Sequence, residues 1–204
     1  MNNNFAVIMA GGIGSRFWPM STENSPKQFL DVLGNGRTLI QQTFDRFSAL
    51  IPSENFLVVT NNKYVDLVKE QLPEIKSSNI LAEPIMRNTA PCIAYATYKI
   101  GLSDPKANMI VSPADHLIMD VAEFEKDIKL AIERTASSDK LLTLGIKPHR
   151  PDTGYGYIEF NNNEKGNNNF SLIFSLIPSS LITKVVRTVP MYFLPYICFS
   201  FQVS

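Results

Sequence analysis

The sequence lacks an excess of charge of either sign: 19 Lys and Arg offset 19 Asp and Glu over 204 residues, with no long run of like charges. A basic nucleic-acid-binding face is thereby excluded, and any phosphates bound are few. Cysteine is scarce, Cys92 and Cys198 standing far apart, so a reducing cytoplasm is the expected setting. No signal peptide is expected, because Met1-Asn2-Asn3-Asn4 leads into an apolar run without a basic segment. No membrane anchor is expected either. The apolar stretch from Phe170 is interrupted by Lys184 and Arg187 and divided by Pro178, Pro190 and Pro195. Two common phosphate-loop signatures are missing as well. No Gly is followed by Lys and then Ser or Thr, and the dinucleotide spacing begun by Gly12 and Gly14 meets Phe17 where a third glycine belongs.

What is present is a different glycine loop. The apolar run Phe5-Ala6-Val7-Ile8-Met9-Ala10 enters Gly11-Gly12-Ile13-Gly14-Ser15-Arg16-Phe17-Trp18-Pro19, and Ser25-Pro26-Lys27-Gln28-Phe29-Leu30 follows. The spacing predicts a strand feeding a loop whose glycines let backbone turn where side chains would clash. Successive N–H groups in such a loop form a concave anion site, and Arg16 and Lys27 add two cations. The matching ligand is a polyphosphate.

The chain then alternates strand and helix. Thr38 and Gln41 form a capping box before Ile40, Phe44, Phe47 and Ile51, predicting a helix over 39–50. Phe56–Thr60 reads as a strand, and Asn62 as the cap of a helix carrying Tyr64, Val65, Val68 and Leu72. Asn79–Ala82 is a third strand, with a helix over 90–102 capped by Thr89 and holding Pro91 in its first turn. Asn108–Ser112 is a fourth strand. Asp120 and Glu123 cap a helix whose Phe124, Ile128, Ala131 and Thr135 face inward, and 141–146 is a fifth strand. Aliphatic strands separated by amphipathic helices predict an α/β domain with a mostly parallel sheet and helices on both faces.

In such a sheet ligands sit at the carboxyl ends of the strands. The glycine loop follows the first strand, Glu83-Pro84-Ile85-Met86-Arg87-Asn88-Thr89-Ala90-Pro91 the third, and Pro113-Ala114-Asp115-His116 the fourth. A further segment, Asp152-Thr153-Gly154-Tyr155-Gly156-Tyr157-Ile158-Glu159, combines small residues that permit close approach with aromatic hydroxyls. Taken singly, each segment also has a plain structural reading. Glu83-Pro84 is a common strand ending, Arg87 a common solvated cation, Asp115 a common turn residue, and Tyr155 and Tyr157 ordinary strand aromatics. Their combination points to a site. His116 reads as a packed or hydrogen-bonding neighbour, and Cys92, beside Ile93 and Ala94, as core.

The glycine loop with Arg16-Phe17-Trp18-Pro19, Pro26-Lys27-Gln28-Phe29-Leu30, E-P-x-x-R-N-T-A-P, S-P-A-D-H and T-G-Y-G-Y-I-E resembles the sugar-nucleotide pyrophosphorylases, most of all the mannose-1-phosphate guanylyltransferase branch. The likeness runs from about Phe5 to Phe160. It implies a Rossmann-like, GT-A-like nucleotidyltransferase domain over 1–160, acting on GTP and mannose 1-phosphate with Mg²⁺ and giving GDP-mannose and pyrophosphate. By that resemblance Ala10, Gly11, Gly12, Gly14 and Ser15 cradle the triphosphate, Arg16 neutralises the departing pyrophosphate, and Lys27 holds phosphate charge at the reacting centre. Asp115 is the catalytic and metal carboxylate. Glu83, Pro84 and Arg87 belong to nucleotide recognition, and Asn88, Gly154, Tyr155, Gly156 and Glu159 surround the sugar. The resemblance leaves oligomeric state open.

Past residue 160 the resemblance ends. An F-x-E-K-P-type motif and a later Asp expected of the family are absent, and an Asn-rich run, 161–169, leads into apolar sequence without a period of two or 3.6. The expectation is a divergent tail over 161–204, produced by a frameshift or truncation, and an incomplete sheet with an uncovered strand edge and apolar face. Two alternatives accompany this reading: another sugar-1-phosphate nucleotidyltransferase, or a catalytically impaired nucleotide-binding fragment.

Overall fold

The computed structural model describes residues 3–12, 14, 17–137, 141–146, 157–159 and 191–200. The chain divides into two compact units, Met1–Leu142 with Ile197–Ser204, and Thr143–Tyr196.

The first unit is built on four parallel strands in the order β3-β2-β1-β4: β1 (Asn4–Met9), β2 (Phe56–Asn61), β3 (Ile80–Glu83) and β4 (Asn108–Pro113). Helices α1 (Leu39–Ser48), α2 (Val65–Gln71), α3 (Thr89–Ser103) and α4 (Val121–Ala136) connect or follow them. Side chains alternate along each strand, so two cores form. On one face Val7, Leu57, Val59, Leu81, Met109 and Val111 pack with Cys92, Ile93, Ala96 and Ile100 of α3. On the other, the Phe44 ring of α1 lies 4.6 Å from that of Phe56, and Phe47 meets Phe124 of α4 at 5.5 Å. Burial on both faces is why β1, β2 and β4 read as nearly unbroken apolar runs.

Local chemistry sets the helix starts. Gln41 Oε1 accepts from the Thr38 N–H at 3.0 Å, while the Thr38 hydroxyl donates to Gln71 Oε1 at 2.6 Å. Asp120 Oδ1 accepts from the Glu123 N–H at 3.0 Å, and the four inward residues expected on α4 are all buried. Two expected caps are corrected. Asn61, not Asn62, accepts from the Lys63 N–H, and Asn62–Tyr64 form a 3-10 turn before α2. Asn88, not Thr89, caps α3, with φ 68° and no side-chain bond to the helix. Asparagine tolerates this left-handed backbone better than most residues, and it makes Thr89 the first helical position.

The second unit holds most of β5 (Leu142–Ile146), together with β6 (Tyr157–Glu159) and the first part of β7 (Met191–Ser200). Here β6 runs antiparallel to β7, Tyr157 opposite Phe193 and Glu159 opposite Met191. The end of β7 belongs to the first unit and runs antiparallel to β4, from Ile197 opposite Val111 to Ser200 opposite Asn108. This corrects the expectation of an uncovered strand edge, since β7 pairs along β4. A strand edge offers unpaired N–H and C=O groups, and an aliphatic and aromatic segment suits strand pairing even without alternation. Among the described residues no helix is long and apolar enough to cross a membrane.

Candidate active site at the carboxyl edge of the sheet

The direction in which successive strands are added reverses between β1 and β4, since β2 and β3 lie to one side of β1 and β4 to the other. The loops leaving β1 and β4 part there and open a crevice, the usual ligand position in a doubly wound sheet. Backbone bonds prolong the strands into it: Ala10 N–H donates to Val59 O at 2.8 Å and Ala114 N–H to Met9 O at 3.0 Å. The crevice encloses a cavity of about 300 Å³, lined by Gly11, Gly12 and Gly14, by Glu83 and Asn88, and by Asp115. Three loops distant in sequence thus share one cavity.

The glycine loop is held from behind. Gln28 is buried, and its Nε2 donates to the Ala10 carbonyl at 3.0 Å and the Gly12 carbonyl at 2.9 Å. The Thr60 hydroxyl donates a second bond to Ala10 O at 2.9 Å. Gly14 has φ +66°, and a Cβ there would stand 2.9 Å from both Lys27 Cβ and Ser21 Oγ, so the position excludes a side chain on two grounds. At Gly11 a Cβ would approach Met86 Sδ to 3.1 Å and Glu83 Oε2 to 3.7 Å, so this glycine lets the first and third loops close on one another.

Lys27 Nζ stands 3.6 Å from Asp115 Oδ2 and 4.2 Å from the centre of the Phe17 ring. The Lys27 side chain is 19% exposed and that of Asp115 42%, so the pair meets water and a ligand can reach both charges. The loop bearing Asp115 is tied to α1. Arg46 is buried, its Nη2 donating to Thr43 Oγ1 at 2.8 Å and to the His116 carbonyl at 3.2 Å. Burial holds the His116 imidazole below its ordinary pKa; the Asp115 carboxylate opposes this shift, and the Lys27 and Arg46 charges add to it. The His116 side chain is 34% exposed, and its carbonyl, held by Arg46, ties this loop to α1.

At the far side of the cavity the chemistry differs. Glu83 is buried, and burial pushes its carboxyl above the usual carboxylate range. Burial first, and the Glu83 charge second, push the Cys92 thiol up to about 12, which makes it a protonated core residue.

Of the expected site residues, Gly11, Gly12, Gly14, Glu83, Asn88 and Asp115 line one cavity, and Lys27 joins it through Asp115. Ala10 is buried behind the loop. Pro84 and Arg87 are exposed on the third loop and do not line the cavity. Ser15, Arg16, Gly154, Tyr155 and Gly156 lie outside the described residues. The backbone of Glu159 lies in β6. Gln28 and Arg46 were missed as contributors to the site. The signals were available: Gln28 is a polar residue between Lys27 and the apolar Phe29-Leu30, and Arg46 shares the buried stripe of Leu39 and Thr43 at helical spacing. Among the described residues no three His, Cys, Asp or Glu side chains gather to hold a metal.

A sheet ordered β3-β2-β1-β4, with a glycine loop after β1 and a lysine–aspartate pair at its switch point, defines a Rossmann-like α/β domain of the nucleotide-handling class. The chain belongs to the nucleotidyl transferase family, whose model matches residues 5–170. It is 45% identical over 155 residues to a mannose-1-phosphate guanylyltransferase of Escherichia coli, a match covering 75% of this chain and 32% of the relative. It is 40% identical over 161 residues to the xanthan biosynthesis protein XanB of Xanthomonas campestris pv. campestris, covering 78% and 34%. The chain thus spans about a third of the length of the curated relatives it matches. Among solved structures, a Thermus thermophilus protein described as a mannose-1-phosphate geranyltransferase superposes with TM-score 0.84 at 27% identity, covering 98% of this chain and 58% of that one.

Proposed function

We propose that this chain carries the substrate-binding part of an enzyme that joins GTP to mannose 1-phosphate. In the reaction a phosphate oxygen of mannose 1-phosphate attacks the α-phosphorus of GTP. The bond from that phosphorus to the bridging oxygen breaks, and pyrophosphate leaves from the opposite side. Both reactants are polyanions, so the protein acts mainly by holding them in line and stabilising charge. The observation that carries the reading is the Lys27–Asp115 pair, 3.6 Å apart beside the glycine loop. The names of the relatives support the choice of nucleotide and sugar.

The amides of Gly11, Gly12 and Gly14, with Ser15, cradle the triphosphate. Lys27 holds phosphate charge near the reacting centre, and Arg16 neutralises the departing pyrophosphate. Glu83 faces donors of the guanine edge; its carboxylate, with no hydrogen-bond partner among the described residues, is free to accept from N1–H and the exocyclic amine. Asn88, on the cavity wall, is the candidate for the mannose side of the first unit. A single carboxylate beside bound phosphates suits Mg²⁺, a hard ion that takes one or two carboxylates plus phosphate oxygens, and Asp115 is the residue that would hold it. When bound, that ion neutralises phosphate charge. A reducing cytoplasm is the matching compartment, consistent with the free, buried Cys92.

The test is pyrophosphate release by the purified chain with Mg²⁺, mannose 1-phosphate and GTP, set against dTTP and ATP. Release with GTP alone is expected. Preference for dTTP or ATP would assign the chain to another sugar-1-phosphate nucleotidyltransferase. GTP binding by calorimetry without release would reduce the assignment to nucleotide binding.

A further inference from the structure

The glycine loop contains three glycines in four positions and has, by itself, wide backbone freedom. Its carbonyl oxygens carry the same sign of partial charge as a phosphate, and a carbonyl turned toward an anion would repel it. Two of them are prevented from turning. The carbonyls of Ala10 and Gly12 both accept from one buried side-chain nitrogen, Gln28 Nε2, at 3.0 and 2.9 Å. Ala10 O also accepts from Thr60 Oγ1, and Thr60 is fully buried. Across a trans peptide C=O and N–H point in opposite directions, so fixing the Ala10 carbonyl fixes the Gly11 N–H as well.

The residue type is specific to this task. One amide nitrogen carries two hydrogens and serves two carbonyls at once, whereas Glu would present only acceptors when ionised and Met would present no donor. Asn would fall one methylene short. We propose that Gln28, assisted by Thr60, is the positioning residue of the glycine loop: it keeps the two carbonyls engaged and leaves the loop amides available to a polyphosphate. This rests on the reading above only in taking the loop's ligand to be phosphate.

Calorimetry on the 204-residue chain tests it with three probes: tripolyphosphate, GTP and guanosine. Gln28→Met is expected to weaken tripolyphosphate and GTP at least about tenfold, as a lost buried hydrogen bond does, while guanosine stays within about twofold. Thr60→Val is expected to weaken the two phosphate ligands a few-fold, with Thr60→Ser restoring them. Thermal melts establish that each variant folds; should Gln28→Met fail to fold, the Thr60 pair carries the test. Unchanged tripolyphosphate affinity in folded Gln28→Met, equal losses for guanosine and GTP, or no difference between Thr60→Val and Thr60→Ser would overturn the proposal. A wild-type chain that binds tripolyphosphate but not GTP would overturn the nucleotide reading and leave the positioning role standing. Binding of neither would overturn both.

Discussion

The two sides of the cavity contrast in nearly every physical respect. At one side Lys27 and Asp115 are partly solvated, oppositely charged and paired at 3.6 Å. At the other, Glu83 is 8% exposed, lines the cavity with Met86 and Cys92, and its carboxylate has no hydrogen-bond partner among the described residues. Because β2 and β1 lie between β3 and β4, the two sides stand three strand spacings apart, roughly 14 Å. One side suits groups that change charge during a reaction and need water displaced late. The other suits a fixed, uncharged hydrogen-bonding edge that compensates a buried acceptor. An elongated ligand with a phosphate end and a base end meets both demands.

If the division is real, substitutions at the two sides must separate rate from affinity. The largest effect is expected for Lys27→Ala, and similarly Asp115→Asn. Each should lower the rate of pyrophosphate release by about 10²–10³-fold, as loss of a preorganised charge does, with the melting temperature nearly unchanged. Wild-type rates in either variant would remove that residue from the chemistry. Next comes Glu83→Gln, which should raise the KM for GTP by roughly tenfold or more while kcat stays near wild type, because an amide cannot accept from two donors with both its atoms.

The same substitution sharpens the contrast through stability. The folded chain binds the Glu83 proton more tightly than the unfolded chain, because burial raises this carboxyl's pKa. Its favourable contribution is therefore full below the ordinary carboxylate value and declines as pH rises through the raised one. Thermal melts should find Glu83→Gln more stable than wild type at pH 7, with the gap closing toward pH 4. A gap of the same size at both pH values would contradict the desolvated state assigned to this side.

Gly14→Ala probes what joins the loop to Lys27. The left-handed φ and the 2.9 Å approach to Lys27 Cβ should together cost about 1–3 kcal/mol of stability, seen as a lower melting temperature, with a parallel loss of rate. The smallest effect belongs to Phe17→Leu. Removing the ring 4.2 Å from Lys27 Nζ should cost about 0.5–1 kcal/mol, a few-fold in kcat, with the preference for GTP over ATP unaltered.

Much of the fold was legible. Strands β1, β2, β3, β4 and β5 and helices α1, α3 and α4 fall within a few residues of where apolar runs and capping residues put them. The misses have local physical causes. Thr89 is a good cap by type, but Asn88 adopts φ 68° and takes the position, and side-chain type alone does not report backbone dihedrals. The strand β7 carries no alternation, and its pairing with β4 arises from an edge that becomes available only once the sheet exists. Within the site, Lys27, Asp115 and Glu83 could be read from their motifs. For Gln28 and Arg46 the sequence signalled burial but not the task, because the Ala10, Gly12 and His116 carbonyls they hold are backbone groups that no residue letter records.

By itself the sequence determined that an apolar strand ends in a glycine loop, that acidic and basic residues follow strand ends, and that both faces of the sheet are buried. These follow from periodicity and residue chemistry, which act over a few positions. Only the tertiary structure decided that β4 lies beside β1. That pairing, made by long-range backbone hydrogen bonds and two packed faces, brings Asp115 to Lys27 and separates both from Glu83.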